Sequence, residues 1–300
     1  MQRKMFVGTR GSRLALAQTE IVIERFKKVE PSLHIEVKII STTGDKDQKT
    51  SLKDIGGKGV FIKEIEHALL NKNIDIAVHS FKDITSQTAE GLSLSGFLKP
   101  ESVCDVLISH SKITLRQIPA GSTIGTGSMR RRALLKRMRN DLKYIDIRGN
   151  IDTRISRVDE GVYAGIVLSE AGVIRLGLTD KISERFNPEL FIPAPGQGVI
   201  AVETRAEDIE LSRLCREACD EEQYLISSAE FSVLESLGFD CRMPFGMHSR
   251  VDSEILTMKA FYENQENGSF VEEMIAGSSA RPLETGKQLA DQLLKRLRLR

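Results

Sequence analysis

"STIGTGSMRRRALLKRMR", residues 122–139, decides the fold. Its first part, "STIGTG" (122–127), carries β-branched residues between small ones and reads as a short strand. Ser128 then offers a side-chain oxygen to the free N–H groups of a helix that opens there. A strand that passes within one turn into a helix is half of a βαβ unit, so the fold depends on how often this junction recurs along the chain.

It recurs on both sides. "MFVGTR" (5–10) is a strand, followed by a helix that Ser12 can cap and that Pro31 ends after about Glu30. "HIEVKIIST" (34–42) is the next strand, and the loop "GGKG" (56–59) leads into the helical "VFIKEIEHALLN". "IDIAVHS" (74–80) and "GLSLSGFL" (91–98) are strand-like. The pattern then restarts with "DVLISH" (105–110), the opening stretch, "YIDIRG" (144–149) with a helix from about Ile151, and "AGIVLSEAG" (164–172). Two α/β lobes with mostly parallel sheets are expected. "FIPAPGQG" (191–198) is a Pro/Gly hinge, and "VIAVETR" adds one more strand. From about Glu221 the style changes to a long helix, the irregular loop "FDCRMPFG", two strands ("EILTMKAFYEN" and "FVEEMIAGS") and a basic terminal helix, which is an α+β unit.

The chain has 300 residues, with 43 Lys+Arg against 42 Asp+Glu, so it is nearly neutral. That balance, with 4 tyrosines, 12 phenylalanines and no tryptophan, argues against a nucleic-acid partner, which needs a strongly basic face and stacking rings. Nothing resembles a secretory leader or a run long enough to span a membrane, so a cytoplasmic protein without a membrane partner is expected. Four cysteines (Cys104, Cys215, Cys219, Cys241) are no disulfide framework, and Cys215 and Cys219 lack a nearby histidine for a metal site, so no metal is expected.

Against that neutral background Arg130, Arg131 and Arg132 stand in the first turn of a helix. The helix dipole disfavours cations there, and the arrangement makes sense when an anion offsets them. Arg10-Gly11-Ser12 and Arg148-Gly149-Asn150, with Arg154 a turn further on, repeat the device at two other strand-to-helix junctions. In open α/β sheets such junctions line the ligand crevice, so three of them point to a polyanion held between lobes. "VHSFKD" (78–83) delivers His79, Ser80, Lys82 and Asp83 to the same edge, where a carboxylate among cations stays ionised. By itself, alternation makes His79 as fit for a satisfied buried role as for acid–base work. Cys241 sits in an irregular loop beside Arg242, whose charge favours the thiolate.

In this order, "TRGSRLALAQ", "STTGDKD", "GGKGVFIKEIEHALL", "DIAVHSFKD", "GTGSMRRRALL", "IRGNIDTRISRVDEG", "AGVIRLGL", "PAPGQGVIAVE" and "CRMPFG" resemble the hydroxymethylbilane synthase (porphobilinogen deaminase) family, from residue 5 to about 250. The resemblance implies two periplasmic-binding-protein-like lobes, residues 1–99 with 199–220 and residues 100–198, and an α+β domain over 221–300. It implies a monomeric transferase of tetrapyrrole and haem biosynthesis. Four porphobilinogen molecules are joined head to tail into 1-hydroxymethylbilane, and ammonia leaves at each addition. It implies a dipyrromethane cofactor in thioether linkage to Cys241, with Asp83 as the catalytic residue and Lys58 reaching the site from a mobile loop. Positions matching the family's carboxylate-binding residues are Arg10, Ser12, Lys82, Thr126, Ser128, Arg130, Arg131, Arg148, Arg154 and Arg175. Phe239 and Asp240 replace two glycines usual before the cysteine, and Cys104 stands where an arginine is common. A non-enzymatic two-lobed module for a small anion is the rival reading. It accounts for neither Asp83 among the cations nor Cys241.

Overall fold

The computed structural model describes residues 4–42, 62–239 and 243–298. In the first lobe, β1 (Lys4–Thr9), β2 (His34–Ile39), β3 (Ile76–Ser80) and β4 (Leu92–Leu98) share a sheet with a strand from much later in the chain. The second lobe holds β5 (Asp105–Ser109), β6 (Thr123–Gly125), β7 (Lys143–Ile145), β8 (Gly165–Ser169) and β9 (Glu184–Arg185), in the order β7-β6-β8-β5-β9. The late strand, β10 (Ile200–Arg205), completes the first sheet in the order β2-β1-β3-β10-β4.

Each five-stranded sheet has one strand reversed. β10 runs antiparallel to β3 and β4, and β5 runs antiparallel to β8 and β9, while β1 with β2 and β3, and β6 with β7 and β8, are parallel. The expectation of mostly parallel sheets therefore holds for strand direction but not for neighbour pairing. The reversed strands are those entered from the other lobe: β5 follows 99–104 and β10 follows the hinge. A strand that arrives by crossing between lobes has no crossover helix of its own to turn it parallel.

Several helices begin where a side chain satisfies one of their free N–H groups. Ser12 accepts the Ala15 N–H at 3.2 Å before α1 (Arg13–Val29), and α2 (Lys63–Leu70) follows. Ser128 opens α3 (Met129–Met138), and Asn150 accepts the Thr153 N–H at 2.9 Å before α4 (Ile151–Asp159). A short α5 (Glu170–Arg175) follows β8, and α6 (Ile209–Ala218) is capped by Asp208. Each such cap is worth about 1 kcal/mol.

β5 and β8 are buried along their whole length, so the second sheet is covered on both faces. Leu107, Ile124, Val167, Leu134 and Leu135 pack on one side, and Val106, Ile108, Ile166, Leu168 and Ile155 on the other. Each buried side chain of this size contributes about 1.5–3 kcal/mol.

Beyond α6, α7 (Glu221–Leu237) and α8 (Pro282–Arg298) cover an antiparallel sheet of β11 (Phe245–Asp252), β12 (Ile255–Glu263) and β13 (Phe270–Ser278). The sequence pattern predicts two strands here, and the sheet has three. β11 hides behind a glycine and the polar run His248-Ser249-Arg250, although Phe245, Met247 and Ser249 alternate into the core. This unit rests on both lobes. Phe261 joins the core of the second lobe, while Tyr224 and Phe231 of α7 pack with Phe81 and Phe97 of the first. Among the described residues, no helix is long and apolar enough to cross a membrane.

Candidate functional site

The strand β3 ends in a single 3-10 turn, Phe81–Asp83. Phe81 anchors it: the ring is buried, and its N–H donates to the Val199 carbonyl at 3.0 Å. With that side chain turned inward, Lys82 and Asp83 are left half-buried where the two lobes face each other. Burial pushes the Lys82 amine down to about 8; Asp83 pulls it back up, and Arg131 pushes it further down. Asp83 makes no hydrogen bond to a described residue, and a carboxylate can accept several.

Across from this turn lies the start of α3. Arg130 and Arg131 are both buried, and the anion that offsets them is the chain's own Asp105, at the start of β5. Arg131 Nε donates to Asp105 Oδ1 at 2.8 Å, and Arg130 Nη1 lies 2.7 Å from Oδ2. Arg130 Nη1, which carries two hydrogens, also donates to the Ile192 carbonyl at 2.8 Å. Arg131 also donates to the Val167 carbonyl, and Arg130 to Gln197 Oε1. Burial alone would raise the Asp105 carboxyl, but Arg130 and Arg131 outweigh it and hold the group below its usual range. Burial lowers Arg131 as well, against the pull of Asp105. Arg132 points elsewhere and pairs with Asp146.

The third junction follows β7, which is shorter than the stretch 144–149 read as a strand. Its residues 146–149 form the turn, and Gly149 takes φ +103°. Arg154 Nε donates to the Gly149 carbonyl at 2.7 Å. Its guanidinium is pushed down to about 10, first by burial and then by Arg131 and Arg148, with Asp83 acting the other way. Arg148 is half-buried and makes no hydrogen bond to a described residue. Lys82, Asp83, Arg148 and Arg154 are thus one electrostatic cluster, backed by Arg130, Arg131 and Asp105. Arg10 is half-buried at the end of β1, and Arg13 of α1 pairs with Asp152 of α4 at 2.7 Å, tying the first junction to the third.

Other candidates have different neighbours. Ser12 and Ser128 are helix caps, Ser128 accepting the Arg131 N–H at 3.4 Å, and Thr126 is buried and accepts the Ser128 N–H. Arg175 lies at the hinge, its side chain only 3% exposed, with a two-point contact to Glu101 and a bond to the Gly198 carbonyl. His79 is buried with Nε2 at 3.1 Å from Glu203 Oε2, the satisfied role. Lys58 and Cys241, with Asp240 and Arg242, lie outside the described residues. Phe239 packs its ring on Phe245 and Tyr262, and the left-handed turn that ends α7 is taken by Gly238 at φ +64°. Asp105 escaped the sequence reading, although a lone carboxylate opening the apolar run "DVLIS" is a signal, because a buried charge needs a partner.

Residues 5–213 match the model of the family described as "Porphobilinogen deaminase, dipyromethane cofactor binding domain". A porphobilinogen deaminase of Clostridioides difficile is 41% identical over 290 residues, covering 96% of this chain and 96% of that protein. One from Natranaerobius thermophilus is 38% identical over 297 residues, covering 97% and 96%. Among solved structures, the second substrate binding domain of a putative amino acid ABC transporter from Streptococcus pneumoniae has a TM-score of 0.44 at 10% identity, over 76% of this chain and 96% of that one.

Proposed function

The chain belongs to the porphobilinogen deaminase family, and on that premise we propose that the cluster around Asp83 is where porphobilinogen is condensed. The enzyme is a transferase of porphyrin and haem biosynthesis, a hydroxymethylbilane synthase that joins four porphobilinogen molecules head to tail into 1-hydroxymethylbilane and releases ammonia. Porphobilinogen carries an acetate and a propionate, so each added ring brings two carboxylates. Half-buried cations with hydrogens to give suit them: Lys82, Arg148 and Arg154. Arg10, at the end of β1, is assigned to the same role. Arg130, Arg131 and Arg175, already engaged with Asp105 and Glu101, add positive potential, and Ser12, Thr126 and Ser128 shape the backbone that presents it.

The cofactor is dipyrromethane. The residues present fit it, since the same cations suit its carboxylates and Asp83, with no hydrogen bond to a described residue, suits pyrrole N–H groups. When bound, it supplies the free pyrrole carbon to which the first substrate ring is joined. We assign its attachment to Cys241, and to Lys58 a place in the same site.

In each addition the substrate's aminomethyl C–N bond breaks, and the amine leaves as ammonia with a proton. The pyrrole nitrogen feeds electrons to the methylene carbon and becomes positive. Asp83 lies where a carboxylate can accept that N–H and offset the charge. The methylene carbon then bonds to the free α-carbon of the preceding ring, whose displaced hydrogen leaves as a proton that Asp83 can take up. Lys82, lowered to about 8 by burial, is still a cation near neutral pH.

The lobes are assigned to residues 1–99 with 199–220 and to 100–198, and the third domain to 221–300; the sheet orders support this division. The near-neutral charge supports the absence of a nucleic-acid partner, and the chain is assigned as a cytoplasmic monomer without a membrane partner. The observation that carries the reading is Asp83, held amid cations without a hydrogen-bond partner among the described residues. Asp83→Asn keeps the shape and removes the charge, so turnover should fall about 10²–10⁴-fold while porphobilinogen binding changes little. Near wild-type turnover would sink it. Intact mass should exceed that of the sequence by two deaminated porphobilinogen units, and Cys241→Ser should lose the excess.

A further inference from the structure

The helix α7 carries two adjacent side chains into the lobes. Phe231 packs on Phe81, ring centroids 6.4 Å apart, and Glu230 Oε2 accepts the Gly196 N–H at 2.7 Å. Glu230 is buried and forms no ion pair with a described residue. A small cavity of about 30 Å³ lies beside it, bordered by Pro100, Gln197, Gln223, His248 and Ser249. Ser249 Oγ is buried there without an aligned partner, close enough to favour the ionised form of Glu230. A buried carboxyl with no cation opposite is costly to keep, which calls for a role.

Gly196 supplies one. It sits at φ +64°, and a Cβ on it would come within 2.1 Å of Phe81 Cδ1. The chain reversal at the hinge is therefore pressed against the ring that anchors the 3-10 turn, and Val199, three residues on, accepts the Phe81 N–H. Any shift of Gly196 moves Phe81, and Lys82 and Asp83 follow it directly in the chain.

The geometry points to Glu230 as a positioning residue: by holding the Gly196 N–H it fixes the hinge reversal against Phe81 and so sets where Asp83 stands. This rests on the reading of Asp83 given above. Glu230 does not touch substrate in this scheme.

The test uses the cofactor-loaded enzyme, with loading checked by intact mass. Glu230→Ala should lower kcat about tenfold or more with KM for porphobilinogen nearly unchanged, because a displaced reacting group costs rate and not affinity. Amide exchange over residues 78–84 and 194–199 should rise together. Glu230→Gln, whose carbonyl oxygen can accept the same N–H, should recover most of the rate and the protection. Gly196→Ala, which displaces Phe81 directly, should reproduce the kcat loss even where Glu230→Ala folds poorly. Wild-type kcat in Gly196→Ala, or a Glu230→Gln no better than Glu230→Ala, overturns the role. Asp83→Asn run alongside separates the two ideas. Full turnover there sinks the reading of the site, whereas an inactive Asp83→Asn beside a fully active Glu230→Ala sinks the positioning role alone.

Discussion

Arg131 and Arg148 look alike in the sequence, each an arginine at a strand-to-helix junction, yet their surroundings make opposite demands. Arg131 is buried and balances Asp105, which is fully shielded from water. Removing one partner of such a pair leaves a charge in low dielectric, which costs about 3–5 kcal/mol. Arg148 makes no hydrogen bond to a described residue and has Arg154 nearby, so removing it relieves repulsion. Arg131→Ala is thus expected to unfold at markedly lower urea, whereas Arg148→Ala keeps its midpoint and loses about 1.5–3 kcal/mol of interaction with bound carboxylate. Urea titration with single-turnover elongation assays checks the pair. Equal stability in both variants would mean that Asp105 does not depend on Arg131. The sequence shows where the cations gather but not which of them meet an internal anion, because that depends on a residue 26 positions away on a strand.

At the scale of elements, features settled by local chemistry are legible in the sequence. Ser12, Ser128 and the start of α7 at Glu221 stand where capping chemistry puts them, because a cap is settled within four residues. The misses are non-local. β11 is masked in the sequence by Gly246 and a polar run, and its strand character comes from pairing with β12. The reversal of β5 and β10 depends on which lobe the chain arrives from, and no local pattern encodes that. Glu230 belongs to this class too: on α7 it reads as one more surface acid. Burial raises its carboxyl from an ordinary 4.5 to about 7, with the Gly196 N–H and Ser249 acting the other way. A carboxyl raised on folding stabilises the fold fully below about 4.5, and that contribution is lost as pH rises through about 7. The difference in unfolding free energy between wild type and Glu230→Gln should therefore move in favour of wild type as pH falls from about 7 to 4.5, by on the order of 3 kcal/mol at most. His248, the titrating neighbour on the cavity wall, has its pKa lowered by burial and is present in both proteins, so it cancels. A pH-independent difference would show that Glu230 is not buried as described.

For the molecule as a whole, the two lobes are joined by two segments, 99–104 and 191–199, that run side by side. Gln197 Nε2 donates to the Val103 carbonyl at 2.7 Å, and Ser102 Oγ donates to Glu170 Oε2 at 2.7 Å. Arg175 ties both crossings at once, with Nε and Nη2 on Glu101 in the first and Nη2 on the Gly198 carbonyl in the second. A chain that lengthens by one ring at each addition fills more of the cleft each time, and the stiffness of this tie sets how far the lobes give way. If Arg175 acts here, Glu101→Gln should mimic Arg175→Ala although it removes no guanidinium. Losing the charged half of that contact costs about 1.5–3 kcal/mol, so amide exchange over both crossings should rise by roughly one to two decades. Later additions should slow more than the first, as read from the distribution of enzyme-bound intermediates by intact mass. If Arg175 instead acts only by contacting substrate carboxylates, Glu101→Gln frees the guanidinium and elongation is unchanged or faster, with no rise in exchange. The two variants moving together, at the hinge and in the later steps, is the outcome that the 3% exposure of Arg175 leads us to expect.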